Sequence, residues 1–223
     1  MEIVIDLWLW PLTGGGAHLS PDEAARADRF VYHRHAEAFR AGRSRLREIL
    51  AGYRGMSPAA LRFSYSDHGR PSLAGGPEFN LSHSGGWAAL AVSERPLRLG
   101  IDIEAHRTVE EGIARRFFSP AEQRALAALP GAEWQAGFFR CWTRKEALVK
   151  ACGPGLSMAL DSFDVTLAPG EARLTRIEGG TAADWALADL DVGPGMAGAV
   201  AAETGGATLR LRLRQGSLPL PAH

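Results

Sequence analysis

Asp102 and Glu104 stand two apart in the run Gly100-Ile101-Asp102-Ile103-Glu104. On a strand, positions i and i+2 share a face, so the two carboxylates project together while Ile101 and Ile103 face the core. Two such groups repel unless water or a cation separates them. Their oxygens suit Mg²⁺, which keeps several waters and takes phosphate partners. A solvated, charged strand face is the other reading of the same alternation.

A second constellation is Trp142-Thr143-Arg144-Lys145-Glu146-Ala147-Leu148-Val149-Lys150. On a helix, Glu146 and Lys150 lie at i and i+4 on one face, with Trp142 one turn earlier. A surface Glu–Lys pair would be unremarked in a lysine-rich chain. Here, of the 25 basic residues, 23 are Arg and only two are Lys, Lys145 and Lys150. An ammonium is a compact, strongly hydrated point charge that a guanidinium does not replace, so this segment is expected to use at least one of them for a special purpose. Glu146 would complete an acidic shell with Asp102 and Glu104. Lys150 could then neutralise a phosphate or donate to a leaving group.

The third motif is Asn80-Leu81-Ser82-His83-Ser84-Gly85-Gly86. Its hydroxyls, imidazole and free backbone N–H groups offer phosphate-binding chemistry. A Ser82–His83–Asp102 nucleophilic arrangement is also conceivable, but adjacent residues diverge on an extended chain, and no G-x-S-x-G elbow is present. Arg26, Arg40, Arg43, Arg45 and Arg70 could add a basic wall, although arginines on helix faces are commonly solvated. Together these groups specify an anionic, multi-phosphate ligand, Mg²⁺ on acidic residues, and phosphoryl or phosphodiester transfer.

The elements that must position these residues follow from pattern. Residues 2–10 read as a strand. Ser20-Pro21-Asp22-Glu23 opens a helix through a capping box with Pro at N1, and a second helix runs from about 35 to 51. Strands are expected at 61–65, 79–82, 87–92 and 99–104, with turns at 67–71 and 84–86. Helices follow at about 109–117, 120–129 and 132–151, then short strands at 163–167, 185–189, 198–202 and 208–214. Pro219 to His223 read as a frayed end. The halves echo one another: Ser20-Pro21-x-Glu23 recurs as Ser119-Pro120-x-Glu122, Phe39-Arg40 as Phe139-Arg140, and Trp87 to Glu94 as Met196 to Glu203. Two related lobes with a ligand cleft between them are the natural expectation.

Composition narrows the function further. The 223 residues carry 25 basic and 25 acidic side chains, which argues against bulk electrostatic binding to nucleic acid or to an anionic membrane. No apolar run is long enough to span a bilayer, and the opening MEIVIDLWLWPL lacks the positive n-region of a signal peptide. Cys141 and Cys152 make neither a disulfide framework nor a CxxC pair. A soluble, cytoplasmic protein is expected.

The ordered set of motifs resembles the 4′-phosphopantetheinyl transferases of the larger Sfp type. It comprises Gly69-Arg70-Pro71, Phe79-Asn80-Leu81-Ser82-His83-Ser84, Gly100 to Glu104, Phe117-Phe118-Ser119-x-x-Glu122, Trp142 to Lys150 and Gly153-x-Gly155-Leu156, over about residues 20–165. The resemblance implies an α+β fold of two pseudo-symmetric lobes, each a small antiparallel sheet with packed helices. Residues 1–98 would form the N-terminal lobe and 99–223 the C-terminal lobe, in a monomer with the site between them. It implies transfer of phosphopantetheine from coenzyme A to a serine of an apo acyl or peptidyl carrier protein, with release of adenosine 3′,5′-bisphosphate. The carrier could serve fatty acid, polyketide, nonribosomal peptide or lysine metabolism, and segment 109–134 is the expected carrier contact.

Carried over by position, Asp102, Glu104 and Glu146 would hold Mg²⁺ against the pyrophosphate. Glu146 would deprotonate the carrier serine, directly or through a water. Lys150 would stabilise or protonate the leaving phosphate. Ser82 and His83 would contact coenzyme A phosphates, with Arg26 and Arg70 on the 3′-phosphate and adenosine side. Arg70 departs from the family's usual Lys, which implies a bidentate contact in place of a point charge, and the position of Glu104 is not an acid in every relative. Two other readings use the same residues: a coenzyme A or carrier binder without turnover, and a Mg²⁺-dependent phosphohydrolase. A mere binder has no need of the full carboxylate set plus Lys150.

Overall fold

Two copies of one structural phrase, differing in sequence, make up most of the chain. In the computed structural model, which describes residues 1–153 and 158–214, the first copy opens with strand β1 (Glu2–Pro11). Helices α1 (Pro21–Ala27) and α2 (His33–Arg54) follow, then a 3₁₀ turn at Pro58–Ala60, the hairpin β2 (Phe63–Tyr65) and β3 (Pro71–Leu73), and strands β4 (Glu78–Ser84) and β5 (Trp87–Ser93). The second copy is β6 (Leu99–Ala105), helices α3 (Glu111–Phe117), α4 (Pro120–Ala127) and α5 (Gly131–Cys152), a 3₁₀ turn at Leu160–Ser162, the hairpin β7 (Phe163–Val165) and β8 (Leu174–Ile177), and strands β9 (Trp185–Asp189) and β10 (Met196–Glu203). The last strand, β11 (Thr208–Leu213), belongs to neither phrase. The motif residues Gly155 and Leu156, and the tail Pro219 to His223, lie outside the described residues.

The sheets repeat as the elements do. The first runs β11-β1-β5-β4 and the second β6-β10-β9, so each opening strand pairs with the last strand of its phrase, and that strand with the one before it. Trp87 to Ser93 and Met196 to Glu203, the segments that echo in sequence, are the central strands β5 and β10. Pairing within each phrase is antiparallel. One departure from the expected antiparallel sheets is β11, which returns from the second half to pair parallel with β1, Glu2 opposite Thr208 through Leu7 opposite Leu213. Its anchor is Asp6, a buried carboxylate that accepts from Arg212 Nε at 2.6 Å and Tyr53 Oη at 2.5 Å. Strands β3 and β8, short edge pieces without a clear alternating pattern, are the elements that pattern reading passes over.

Local chemistry accounts for the boundaries. Both capping boxes form: Ser20 Oγ accepts from Glu23 N and Ser119 Oγ from Glu122 N, while each glutamate returns a bond to its cap's backbone N–H. The β4–β5 hairpin turns on Gly85 and Gly86, at φ 59° and 81°, the two left-handed positions of a tight turn that matches strand twist. Helix α5 is the spine of the second lobe. Phe138, Phe139, Cys141, Ala147 and Leu148 pack from it onto Phe118, Phe163, Ala199 and Ala201. A separate cluster under the first sheet joins Trp10, Leu46, Leu50, Phe79 and Leu90.

Each capping glutamate does a second job. Glu122 Oε1 accepts from Lys145 Nζ at 2.6 Å and from Val165 N at 2.8 Å, and both side chains of the ion pair are essentially without solvent contact. Lys145 Nζ also donates to Phe163 O and sits 4.1 Å from the Phe163 ring centroid. In the first lobe Glu23 Oε2 accepts from Arg47 Nε at 2.6 Å, and Arg47 donates onward to Pro58 O and Leu61 O. Of the two lysines, Lys145 is therefore a fully buried tie between α5, α4 and β7. Removing one partner of such a pair leaves an uncompensated charge, at a cost of about 3–5 kcal/mol. Lys145→Met is expected to lower the urea midpoint of unfolding accordingly. A Glu122→Gln/Lys145→Met double variant is expected to lose less than the sum of the single losses, in the same titration.

Candidate active site

The chemistry-bearing motifs converge where the two sheets meet. Strand β4 lies beside β6 without a main-chain ladder; side chains do the pairing. Asn80 Oδ1 accepts from Ile101 N at 3.0 Å, Ser82 Oγ from Ile103 N at 3.3 Å and Ser84 Oγ from Ala105 N at 3.1 Å. Three alternate residues of β4 thus satisfy the alternate donors along one edge of β6, whose other edge is paired with β10.

That seam carries the acids. Ser82 Oγ donates to Asp102 Oδ1 at 2.8 Å, and Ser84 Oγ to Glu104 Oε2 at 2.8 Å. Glu104 is also held by Arg107 Nη1 at 2.8 Å. Asp102 is 5% exposed, so the solvated-face reading of the strand does not apply to it. Lys150 Nζ reaches across from α5 to Asp102 Oδ1 at 2.7 Å, Ser82 Oγ at 3.0 Å and Ile101 O at 3.2 Å. Burial pushes the Asp102 carboxyl up, against the opposing pull of Lys150 and Ser82, with Glu104 adding repulsion. Burial also raises Glu146, and the negative charges of Asp102 and Glu104 add to that rise while Lys150 opposes it. Asp102, Glu104 and Glu146 are therefore close enough for their charges to act on one another.

Two sequence readings are resolved by this geometry. Ser82 is buried and His83 exposed, so the serine and histidine diverge and no Ser–His–Asp relay forms; Ser82 bonds the aspartate directly. The basic wall is assembled only in part: Arg26 and Arg43 both lie over the Phe39 ring, 5.3 and 5.9 Å from its centroid. Arg40 pairs with Asp28 and Arg45 with Glu48, while Arg43 lies buried against Tyr65 Oη at 3.0 Å. Arg26 is exposed. Arg70 does reach the seam, where its guanidinium donates to the carbonyls of Lys150, Leu99 and Phe79. Beside it a cavity of about 270 Å³ opens between the lobes, lined by His68, Gly69, Arg70, Asn80, Lys150 and Gly153, among others.

The donor set can be tested against the divalent cation implied by the acidic motif. Among the described residues no three His, Cys, Asp or Glu side chains stand close enough to hold a metal unaided. Mg²⁺ does not require that, since it binds through one or two carboxylates with waters and substrate phosphates completing its shell. Asp102 Oδ2 is buried and has no hydrogen-bond partner. A buried anionic oxygen left open, near a Glu146 carboxyl raised by burial and then by the charge of Asp102, fits a hard cation. Pattern reading missed Arg144, fully buried and forked onto Asp189 at 2.8 and 2.6 Å, which ties α5 to β9. Its signal was present only as an arginine inside an apolar helix face.

Comparison with known proteins agrees in both halves. Residues 98–202 match the family model described as the 4′-phosphopantetheinyl transferase superfamily, and residues 12–95 match that of 4′-phosphopantetheinyl transferase, N-terminal. The 4′-phosphopantetheinyl transferase HetI of Nostoc sp. strain PCC 7120 is 41% identical over 181 residues, covering 78% of this chain and 74% of that one. The 4′-phosphopantetheinyl transferase Sfp of Bacillus subtilis strain 168 is 34% identical over 151 residues, covering 67% of this chain and 66% of Sfp.

The site depends on how closely β6 approaches α5. A Cβ on Gly100 would sit 2.0 Å from Ala147 O and 2.6 Å from Ala151 N, backbone atoms that cannot turn aside. Gly100→Ala is expected to push the strand off the helix and destabilise the chain by about 1–3 kcal/mol. Urea titration measures that cost, and protection of the Ile101 and Ile103 amides from hydrogen exchange is expected to fall with it.

Proposed function

The chain belongs to the 4′-phosphopantetheinyl transferase family, and we propose that it moves the phosphopantetheine arm of coenzyme A onto a serine of an apo acyl or peptidyl carrier protein. Adenosine 3′,5′-bisphosphate is the other product. The observation that carries the reading is the node at the lobe seam, where Lys150 Nζ holds Asp102 Oδ1 at 2.7 Å while Asp102 Oδ2 is buried and open. An ammonium and an anionic oxygen at one point suit a reaction in which negative charge grows on phosphate oxygens.

In this reading Asp102, Glu104 and Glu146 would hold Mg²⁺ directly or through waters, with substrate phosphate oxygens completing its shell, and the cation would supply Lewis-acid stabilisation to the pyrophosphate. Glu146 takes the proton from the carrier serine hydroxyl. The serine oxygen bonds to the pyrophosphate phosphorus bearing pantetheine, and the bond from that phosphorus to the bridging oxygen breaks. Lys150, with 29% of its side chain exposed, is the cation placed to neutralise or protonate the departing phosphate. His83, exposed on β4, meets coenzyme A phosphates, and Arg26 serves the 3′-phosphate and adenosine side; Ser82 would join His83 by redirecting the hydroxyl that now bonds Asp102. The cavity between the lobes, lined from both, supports a ligand seated across the seam. Residues 1–98 and 99–223 would act as two lobes of one unit, with β11 of the second crossing back to pair with β1 of the first. No helix among the described residues is long and apolar enough to cross a membrane, and Cys141 and Cys152 are unpaired. We place the protein in the cytoplasm as a monomer.

Intact mass spectrometry of apo carrier proteins incubated with this protein, coenzyme A and Mg²⁺ tests the reading. A gain of one phosphopantetheine group, abolished by chelator, is expected on at least one carrier. No gain with coenzyme A still bound would make the protein a binding module, and bisphosphate release without carrier would make it a phosphohydrolase. Glu146→Gln is expected to lower transfer by about 10²-fold or more while coenzyme A affinity stays within a few-fold, because it removes the proton acceptor but keeps a carbonyl oxygen toward the cation and leaves Asp102, Glu104 and the side-chain phosphate contacts unchanged. Calorimetry of coenzyme A binding beside the mass assay reads the two effects separately.

A further inference from the structure

Arg70 is anchored in the turn between β2 and β3, where its carbonyl accepts from Ser66 N at 3.0 Å and its N–H donates to Ser66 Oγ at 3.2 Å. From there its guanidinium crosses the seam. Nη1 donates to Lys150 O at 2.8 Å, and Nη2 to Leu99 O at 3.1 Å and Phe79 O at 3.4 Å. Each acceptor belongs to a different element. Lys150 is in the last turn of α5, Leu99 opens β6 and Phe79 lies in β4. These elements carry, in turn, Lys150 and Glu146, Asp102 and Glu104, and Ser82.

Its electrostatics are those of a helix cap. Among the described residues Arg70 has no carboxylate within ion-pair distance. Two sources of negative charge act on it: the C-terminal end of α5, where the dipole is negative, and the Glu78 carboxylate, which acts from beyond ion-pair distance. One side chain from the first lobe therefore bonds the last turn of the second lobe's helix, which closes on the left-handed Gly153, and does so on the carbonyl of Lys150, whose ammonium is at the centre of the site. The guanidinium divides these bonds between two nitrogens held in one rigid fork, Nη1 to Lys150 O and Nη2 to Leu99 O and Phe79 O, a spread that the single nitrogen of a lysine does not reproduce.

We infer that Arg70 is a positioning residue: it locks the last turn of α5 against β4 and β6, and so fixes where Lys150 delivers its charge. This deepens the proposed transferase reading and rests on it. It also differs from the phosphate contact implied for position 70 by resemblance. Both roles predict loss of activity when Arg70 is removed, so the test must separate them.

The experiment compares wild type, Arg70→Lys and Arg70→Gln in transfer to an apo carrier protein, with coenzyme A and with 3′-dephospho-coenzyme A. Positioning predicts a fall in kcat of about tenfold to 10²-fold, KM for coenzyme A within about threefold of wild type, and the same loss with either donor. In a Lys150→Ala background, Arg70→Gln is expected to cost less than about twofold more, because the group it positions is gone. A rise in KM of about tenfold or more with coenzyme A alone would make Arg70 an anion ligand and overturn the inference. Additive losses with Lys150→Ala would overturn it too.

A substrate-free measurement runs in parallel. Amide exchange in wild type and Arg70→Lys is expected to quicken in the last turn of α5 and at β6, with the rest of the chain unchanged. Unaltered exchange there, or an Arg70→Lys chain that fails to fold, would refute positioning. Because that arm uses no substrate, failure of the transferase reading shows in the wild-type mass assay and failure of the clamp shows here.

Discussion

A strand buried between two sheets must have both edges satisfied, and that requirement on β6 organises this protein. One edge is paired conventionally with β10. The other meets β4, where the acceptors are Asn80, Ser82 and Ser84 side chains in place of carbonyls. An unmet buried N–H costs as much as a lost hydrogen bond, so these three residues are fixed in type and in period. Pairing through side chains also sets β4 and β6 farther apart than a main-chain ladder would. The serine hydroxyls can then bond backbone on one side and carboxylates on the other. The polar seam is the geometry that allows Asp102 to be buried and still reached by Lys150.

Charge then fixes what the seam can do. A carboxylate at 5% exposure pays a desolvation penalty that only a cation and hydrogen bonds offset. Asp102 has both, yet only on Oδ1. The molecule therefore holds a partly satisfied anion at the lobe junction, next to a glutamate whose carboxyl is raised by burial and by its acidic neighbours. Buried polar groups left open concentrate where function needs them, because elsewhere they only destabilise. Gly100 sets the distance at which these groups meet, since a side chain there would collide with α5 backbone.

Much of this was legible in the sequence because it is local. Period-two alternation gave β6 and the shared face of Asp102 and Glu104; helical spacing gave Glu146 and Lys150 on α5. Adjacency of Ser82 and His83 on a strand foretold that they diverge. The capping boxes and the echo of Trp87 to Glu94 in Met196 to Glu203 foretold two lobes. What escaped was long-range. The parallel return of β11 to β1 joins residues about as far apart as the chain allows, for example Arg212 to Asp6, and leaves no periodic mark. The three carbonyls that Arg70 meets belong to three separate elements, which no local pattern brings together.

The lysine count shows how one signal can have two causes. Lys145 and Lys150 stand five apart, yet one is sealed in the core and the other faces the cleft. Their roles diverge because five residues advance a helix by about 500°, which turns the second side chain some 140° from the first. In the first lobe the position equivalent to Lys145 is Arg47, which spreads over Glu23, Pro58 O and Leu61 O. Lys145 has only Glu122 and Phe163 O beside the Phe163 ring at 4.1 Å, a pocket shaped for a compact ammonium. Two duplicated lobes thus solved one burial problem with different cations. The lobe that chose lysine is also the lobe whose helix brings Glu146 and Lys150 to the seam, so packing on one face of α5 and chemistry on another each required the residue that the rest of the chain avoids.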